Sequence, residues 1–418
     1  MAAPRPTIAR RARTLIEEGL RHARVLALTG ARQVGKTTLA REVCRAHRGT
    51  LLSLDDHGVL EAVLRDPHRV VEAKSPVVID EFQLGGDRLL RAIKSRVDED
   101  RRPGQFLLTG STRFLTVPTL SETLAGRVQL LDLWPLAQVE IRGRRSNFVD
   151  RLFGEPHALL GLKPERRTRH ETFELVCAGG FPEARTAPPR ARRRWFESYV
   201  QTVTQRDAAE VARIQQIGQL PRILELLGAR TAQEIKAAEI ARDAGLPRTT
   251  LAAYLTLLET LHQWFRLPAW SRNLTAKVIR HPKGHLTDSG LAAHLVGADP
   301  ISLSGLQSAA AGPLLETFVA GELARQLTWA ETGARLFHYR ERDGAEVDLV
   351  LESRDGRVAC VEVKSASSVE RSDFRTIDRL HDKLGAAFAT GIVLHLGPSV
   401  LPFGPRRMAL PVSALWAT

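Results

Sequence analysis

Leu28-Thr29-Gly30-Ala31-Arg32-Gln33-Val34-Gly35-Lys36-Thr37-Thr38 decides the fold of this 418-residue chain. The apolar run Val25-Leu26-Ala27-Leu28 before it predicts a strand, and Thr37 to Ala46 after it predicts a helix. Strand, Gly-x-x-x-x-Gly-Lys-Thr and helix is the context of a phosphate-binding loop. Gly30 and Gly35 let the backbone turn sharply and approach an anion with no Cβ in the way. The N–H groups from Gly30 to Thr38, at a helix N-terminus, would face the phosphates of a nucleotide. Lys36 would reach the β- and γ-phosphates, and the Thr37 hydroxyl would ligate Mg²⁺.

Downstream, Leu51-Leu52-Ser53-Leu54-Asp55-Asp56 predicts a second strand. Pro76-Val77-Val78-Ile79-Asp80-Glu81-Phe82-Gln83 predicts a buried parallel strand that presents two carboxylates at its C-terminal edge. Asp80 is expected in the Mg²⁺ shell, and Glu81 is expected to polarise the water that attacks the γ-phosphate. A strand followed by an acidic helix cap is the alternative. Gln105 to Thr109 predicts a further strand running into Gly110-Ser111-Thr112, where Ser111 would sense the γ-phosphate or hold the water. Arg127 closes Ser121-Glu122-Thr123-Leu124-Ala125-Gly126-Arg127, ahead of the strand Val128 to Leu131. It would stabilise transition-state charge, in its own subunit or in a neighbour's, or else cap the preceding helix. Strands alternating with helices make this half a parallel α/β sheet.

The length calls for two to four domains. A hydrophobic fraction of 43% and a charged fraction of 26% are those of a soluble globular protein. No apolar run is long enough to cross a bilayer, so no membrane partner is expected. Glu17 and Glu18 interrupt the Arg-rich start, which argues against a signal peptide. Cys44, Cys177 and Cys360 are far apart and lack metal-ligand spacing, as in reduced thiols of a cytoplasmic protein. A net charge of +13 gives a nucleic-acid backbone something to bind; the alternative is solvated surface charge.

From Ile141 to Arg169 the chain is charged and irregular, with Arg142, Arg144, Arg145, Arg166, Arg167 and Arg169, and an interdomain connection is expected. Arg190-Ala191-Arg192-Arg193-Arg194 opens a helix in which Trp195, Tyr199 and Val203 recur at core spacing. Leu220 to Asp288 reads as a winged helix, the third helix starting at Arg248-Thr249-Thr250. In a DNA reader that helix enters the major groove, with Arg248 at its tip and Arg272, Lys277 and Arg280 along the wing. Winged helices also serve as protein-interaction modules.

Four runs resemble the prokaryotic AAA-type ATPases related to the archaeal ATPases: Gly30 to Thr38, Ile79 to Gln83, Leu108-Thr109-Gly110-Ser111 and Leu124-Ala125-Gly126-Arg127. Trp134-Pro135-Leu136, Gly179-Gly180-Phe181-Pro182-Glu183 and Lys283-Gly284-His285-Leu286-Thr287-Asp288-Ser289-Gly290-Leu291 extend the resemblance over nearly the whole chain. That family implies an ATPase module followed by a C-terminal domain of unknown function. From Pro313 on, helix, three strands, helix and strand resemble the restriction-endonuclease-like core, and Glu346-Val347-Asp348 with Glu362-Val363-Lys364 is similar to that superfamily's metal site. Glu362 and Lys364, two apart on a strand, project to one face. Asp348 can meet Glu362 across the ladder to chelate Mg²⁺, Lys364 would orient the attacking water, and Glu316 would add a carboxylate, with Glu346 as the alternate. The alternative is an ion-pair network that merely joins two strands.

The expected architecture is therefore α/β, in four parts. A P-loop AAA-type domain occupies 1–140, a linker and helical region 141–212, a winged-helix-like domain 213–295 and a nuclease-like α+β domain 296–418. The expected function is a cytoplasmic, Mg²⁺-dependent ATPase that binds and hydrolyses ATP and acts on DNA, with homo-oligomerisation left open by the source of the arginine. The alternative is an ATP-dependent regulatory switch whose C-terminal domain binds DNA or protein without cleaving.

Overall fold

The computed structural model describes residues 8–112, 123–145, 147–211, 217–271, 281–341 and 343–417. The chain forms two compact units. The first comprises Met1–Pro135 with Glu210–Ala212 and Thr260–His262; the second comprises Leu136–Ala209, Arg213–Glu259 and Gln263–Thr418.

Among the described residues of the first unit, β1 (Val25–Thr29), β2 (Thr50–Ser53), β3 (Val77–Asp80), β4 (Phe106–Gly110) and β5 (Val128–Asp132) form one parallel sheet in the order β2-β3-β4-β1-β5. The central strands β1, β3 and β4 are wholly buried, which is why they read as unbroken apolar runs. Val25, Ala27, Val77, Ile79, Phe106 and Leu108 share a core with Leu89, Leu90, Ile93 and Val97 of the helix Gly86–Glu99. The helix Lys36–His47, with Leu39, Ala40, Val43 and Cys44 buried, also packs on β3 and β4. β4 lies between β1 and β3 although it follows both in sequence. That order brings Thr29 beside Gly110 and Asp80 beside Thr109 at one edge of the sheet.

The stretch expected as a linker is built into the second unit. Phe148, Val149, Leu152 and Phe153 are buried on the helix Phe148–Phe153, at the spacing of an apolar helix face. Glu165 gathers Arg142, Arg144 and Arg167 at 3.0 Å each. Three of the stretch's arginines thus share one acid within the fold while Arg145 and Arg166 stay exposed, so a charged run here does not mark a solvated connection. On the helix Pro189–Gln201, Trp195 stacks on the buried Tyr199 with centroids 5.1 Å apart, as the spacing predicts.

The helices Leu220–Ala229, Ala237–Ala244 and Arg248–Thr260 accompany a small antiparallel sheet of β6 (Gln233–Glu234), β7 (Trp264–Leu267) and β8 (Lys283–Leu286), ordered β6-β8-β7. Helix, strand, two helices, two strands is winged-helix order; the two-residue β6 is too short to carry a period in the sequence. Beyond the helix Ala311–Leu327 come β9 (Arg335–Arg340), β10 (Glu346–Glu352), β11 (Val358–Val363), the helix Arg375–Leu384, β12 (Phe388–His395), β13 (Leu401–Gly404) and β14 (Arg407–Pro411). Their sheet runs β13-β14-β12-β11-β10-β9, antiparallel over β9, β10 and β11 and parallel from β11 to β12. The predicted helix, three strands, helix and strand are present, extended by the β13–β14 hairpin.

Candidate functional site

The loop Gly30 to Gly35 leaves β1 at the edge where β3 and β4 also end. Gly35 has φ +98°, and Gln33 has φ +64°. A Cβ on Gly30 would stand 2.2 Å from the Leu133 carbonyl oxygen, so only glycine lets the loop pass under that segment. Arg10, which the sequence did not single out, donates to the carbonyls of Val34 at 2.7 Å and Trp134 at 2.6 Å, tying the loop to the chain after β5. Thr29 Oγ1 donates to Asp132 at 2.7 Å and fastens the same two strands.

Lys36 is buried, and its Nζ donates to the carbonyls of Gly30 and Ala31 at 2.9 Å each. It is thus folded over the loop cavity where phosphate oxygens would compete for its protons. Thr37 Oγ1 donates to Asp80 Oδ1 at 3.1 Å, and Thr109 Oγ1 donates to the same oxygen. A hydroxyl and a carboxylate converging at the end of a strand are the hard oxygen donors that suit Mg²⁺. Thr109 enters because β4 neighbours β3, which no sequence motif announces. Ser111 lies two residues further on, buried beyond the strand end.

Glu81 follows β3 in a left-handed conformation, φ +53°, and accepts from Gln83 Nε2 at 2.6 Å. A non-glycine residue held there is strained, and such strain collects at functional positions. Burial pushes the Glu81 carboxyl up, with Lys36 opposing. Arg127 is a correction to the expectation of a finger within the same subunit. It precedes Val128, the register partner of Val25, and so stands at the start of the parallel strands, a strand length of roughly 15 Å from the loop. It pairs with Asp98 at 2.6 Å and donates to the Ala125 carbonyl at 3.0 Å.

In the second unit, Asp348 and Glu362 are adjacent as predicted: the Asp348 N–H donates to Glu362 at 3.4 Å, and Asp348 accepts from the Val363 N–H at 2.9 Å. Lys364 pairs with Glu362 at 2.9 Å. Glu316 and Asp348 close on Lys283 Nζ, at 2.9 and 3.4 Å. Glu346 pairs instead with Arg340 at 3.5 Å. Among the described residues no three His, Cys, Asp or Glu side chains gather as a metal site. With a lysine ammonium between two of its carboxylates, the donor set as it stands does not fit the metal that the resemblance implies. Burial first, then Asp348, pushes Glu316 up; Glu362 is pushed up to about 7 by the same two causes in the same order. His285, two residues from Lys283 and on the same face of β8, meets Thr317 at 3.3 Å. Lys283 and His285 went unassigned in the sequence, although their spacing on a strand carries the signal.

Of the expected DNA contacts, Arg248 is exposed at the start of its helix. Arg272, Lys277 and Arg280 lie outside the described residues, as do Ser121 and Glu122 of the run before Arg127. Other cations between Leu220 and Asp288 face acids: Arg222 to Glu225, Arg230 to Asp243, Lys236 to Glu239 and Arg266 to Glu259.

The Gly179-Gly180 and Asp288-Ser289-Gly290 runs clasp each other. Asp288, fully buried, caps the helix Ser289–Leu295 through the Leu291 N–H at 3.0 Å and accepts from the Gly180 N–H at 2.7 Å. Gly179 has φ +64°, and a Cβ there would stand 2.2 Å from Asp288 Oδ1. Gly179→Ala is expected to cost about 3 kcal/mol and lower the melting temperature by about 8 °C. Gly161→Ala, with nothing within 4 Å of its Cβ, is the near-neutral control in the same calorimetric scan.

Residues 22–142 match the family described as an AAA domain; residues 169–302 and 311–415 match two domains of unknown function, DUF8612 and DUF4143. The chain is similar to the uncharacterized protein Rv2008c of Mycobacterium tuberculosis, 30% identical over 362 residues that cover 85% of this chain and 74% of that one. The uncharacterized protein Mb2031c of Mycobacterium bovis gives the same figures. Among solved structures, the Walker-type ATPase PABY2304 of Pyrococcus abyssi is 15% identical, with a TM-score of 0.43 over 69% of this chain and 96% of its own. AMPPCP-bound DnaA from Aquifex aeolicus is 13% identical, with a TM-score of 0.29 over 59% and 86%.

Proposed function

The chain belongs to the family of the uncharacterized mycobacterial proteins Rv2008c and Mb2031c and carries a P-loop ATPase domain of the AAA type, and from that premise we propose that it is a Mg²⁺-dependent ATP-driven switch. The observation that supports this most is the convergence of Lys36, Thr37, Asp80, Glu81 and Thr109 at one edge of the parallel sheet. The loop N–H groups and Lys36 hold the β- and γ-phosphates, Glu81 takes the proton of the attacking water, and Ser111 or Thr109 senses whether the γ-phosphate is present. Thr37 and Asp80 would hold Mg²⁺, which neutralises phosphate charge. Arg127 is assigned no role at the nucleotide of its own subunit, since it is held by Asp98 at the other end of the strands.

The second unit is the output of the switch. Its winged helix, through the end of the helix at Arg248, and its nuclease-like sheet engage a partner without cutting it. The paired cations of the winged helix favour this reading over a DNA-cleaving enzyme. Action on DNA is the second reading, favoured by the net charge of +13. Purified full-length protein is expected to release phosphate from Mg²⁺-ATP and to leave supercoiled plasmid intact in Mg²⁺ or Mn²⁺. Absence of phosphate release sinks the ATPase assignment. Nicking that disappears in Asp348→Ala restores the DNA-cleaving reading, and DNA binding with a steep salt dependence would make the partner a nucleic acid.

A further inference from the structure

We propose that Lys283 is the resident cation of the C-terminal carboxylate cluster and stands where a divalent metal would have to bind. Its side chain is 4% exposed, and its ammonium lies between Glu316 and Asp348, whose side chains are 12% and 9% exposed. Glu316, Asp348, Glu362, Lys283 and Lys364 together line one cleft of about 470 Å³. A charge so buried persists only when paired, and here the lysine ammonium is paired with two carboxylates at once.

A divalent ion at oxygen distances of about 2.1 to 2.5 Å would need Glu316 and Asp348 to turn inward onto the point the ammonium fills. The ammonium opposes such an ion by filling its position and by like-charge repulsion at close range.

Lys283 is also firmly placed. β8 is paired on both sides, with Lys283 opposite Glu234 of β6 and Leu267 of β7. The next residue, Gly284, admits no side chain, since its Cβ would come 2.5 Å from Ile235 Cδ1. Five residues on, Asp288 is anchored by Gly180. The backbone that carries the lysine is therefore fixed beside the carboxylates. The cluster joins the winged helix to the C-terminal sheet as a lysine clasp, and this explains why the sequence shows a nuclease-like carboxylate pattern without an assembled metal site. The inference builds on the non-cleaving reading of the second unit and is independent of ATP turnover.

The test is Mn²⁺ binding, followed by electron paramagnetic resonance of free Mn²⁺, on full-length protein without nucleotide in an Asp80→Asn background that removes the carboxylate of the phosphate-loop site. With Lys283 present, no Mn²⁺ binding that depends on Asp348 is expected. Lys283→Met is expected to gain one Mn²⁺, lost again in Lys283→Met/Asp348→Asn. Its melting temperature should fall by about 10 °C without divalent ions and recover on adding Mn²⁺, while the protein with Lys283 shows no such shift. Asp348-dependent Mn²⁺ binding with Lys283 in place overturns the proposal, as does a folded Lys283→Met that neither binds Mn²⁺ nor loses stability. If Lys283→Met does not fold, Lys283→Met/Glu316→Gln/Asp348→Asn decides the clasp: recovery of a folded protein supports it, and continued failure overturns it.

Discussion

Glu81→Gln is expected to bind ATP with unchanged affinity and to turn it over about 1,000-fold more slowly, a loss of about 4 kcal/mol of transition-state stabilisation. The amide keeps the shape of the side chain and the contact with Gln83, so the loop and its nucleotide are undisturbed. What it removes is the group that accepts the water's proton. The pH profile supplies a second check. The base acts when ionised, and burial raises its carboxyl above the ordinary range, with Lys36 opposing. Turnover in the unaltered protein therefore falls as pH drops, with a midpoint above the ordinary glutamate value of about 4.3. Equal kcat for Glu81→Gln and the parent, measured by phosphate release at saturating ATP, would remove Glu81 from this role.

Lys36→Ala is expected to weaken ATP binding by about 100-fold or more, below detection in a routine calorimetric titration. The ammonium is buried and donates to the carbonyls of Gly30 and Ala31. A triphosphate offers charged oxygens in their place, and a charge-assisted contact of this kind is worth about 3 kcal/mol when desolvated. Removing the lysine also leaves those two carbonyls aimed at the incoming anion, which adds repulsion to the lost attraction. The two variants separate binding from chemistry: Lys36→Ala fails at the first, Glu81→Gln at the second. Nucleotide affinity retained in Lys36→Ala would mean that the loop backbone and Arg10, which braces it, do the holding.

The phosphate loop, the Asp80-Glu81 strand end, the three helices between Leu220 and Thr260 and the order of elements beyond Pro313 could all be read from the chain itself. Each is a local pattern: a strand period, a helix period, or glycines where a backbone must bend. The charged stretch after Ile141 misled, because charge run and solvated linker look alike until Glu165 is seen to collect its arginines. Sheet order was invisible too. Nothing in the residues of β4 says that it inserts between β1 and β3, yet that placement brings Thr109 onto Asp80 and leaves Arg127 at the far end from the loop. The same holds at the other cluster, where the cation between Glu316 and Asp348 carries no local signal. Lys283 reaches Glu316 and Asp348 only once β8 is packed beside the helix Ala311–Leu327, and which cation answers a buried carboxylate is settled by contacts between segments distant in sequence, which carry no period of their own.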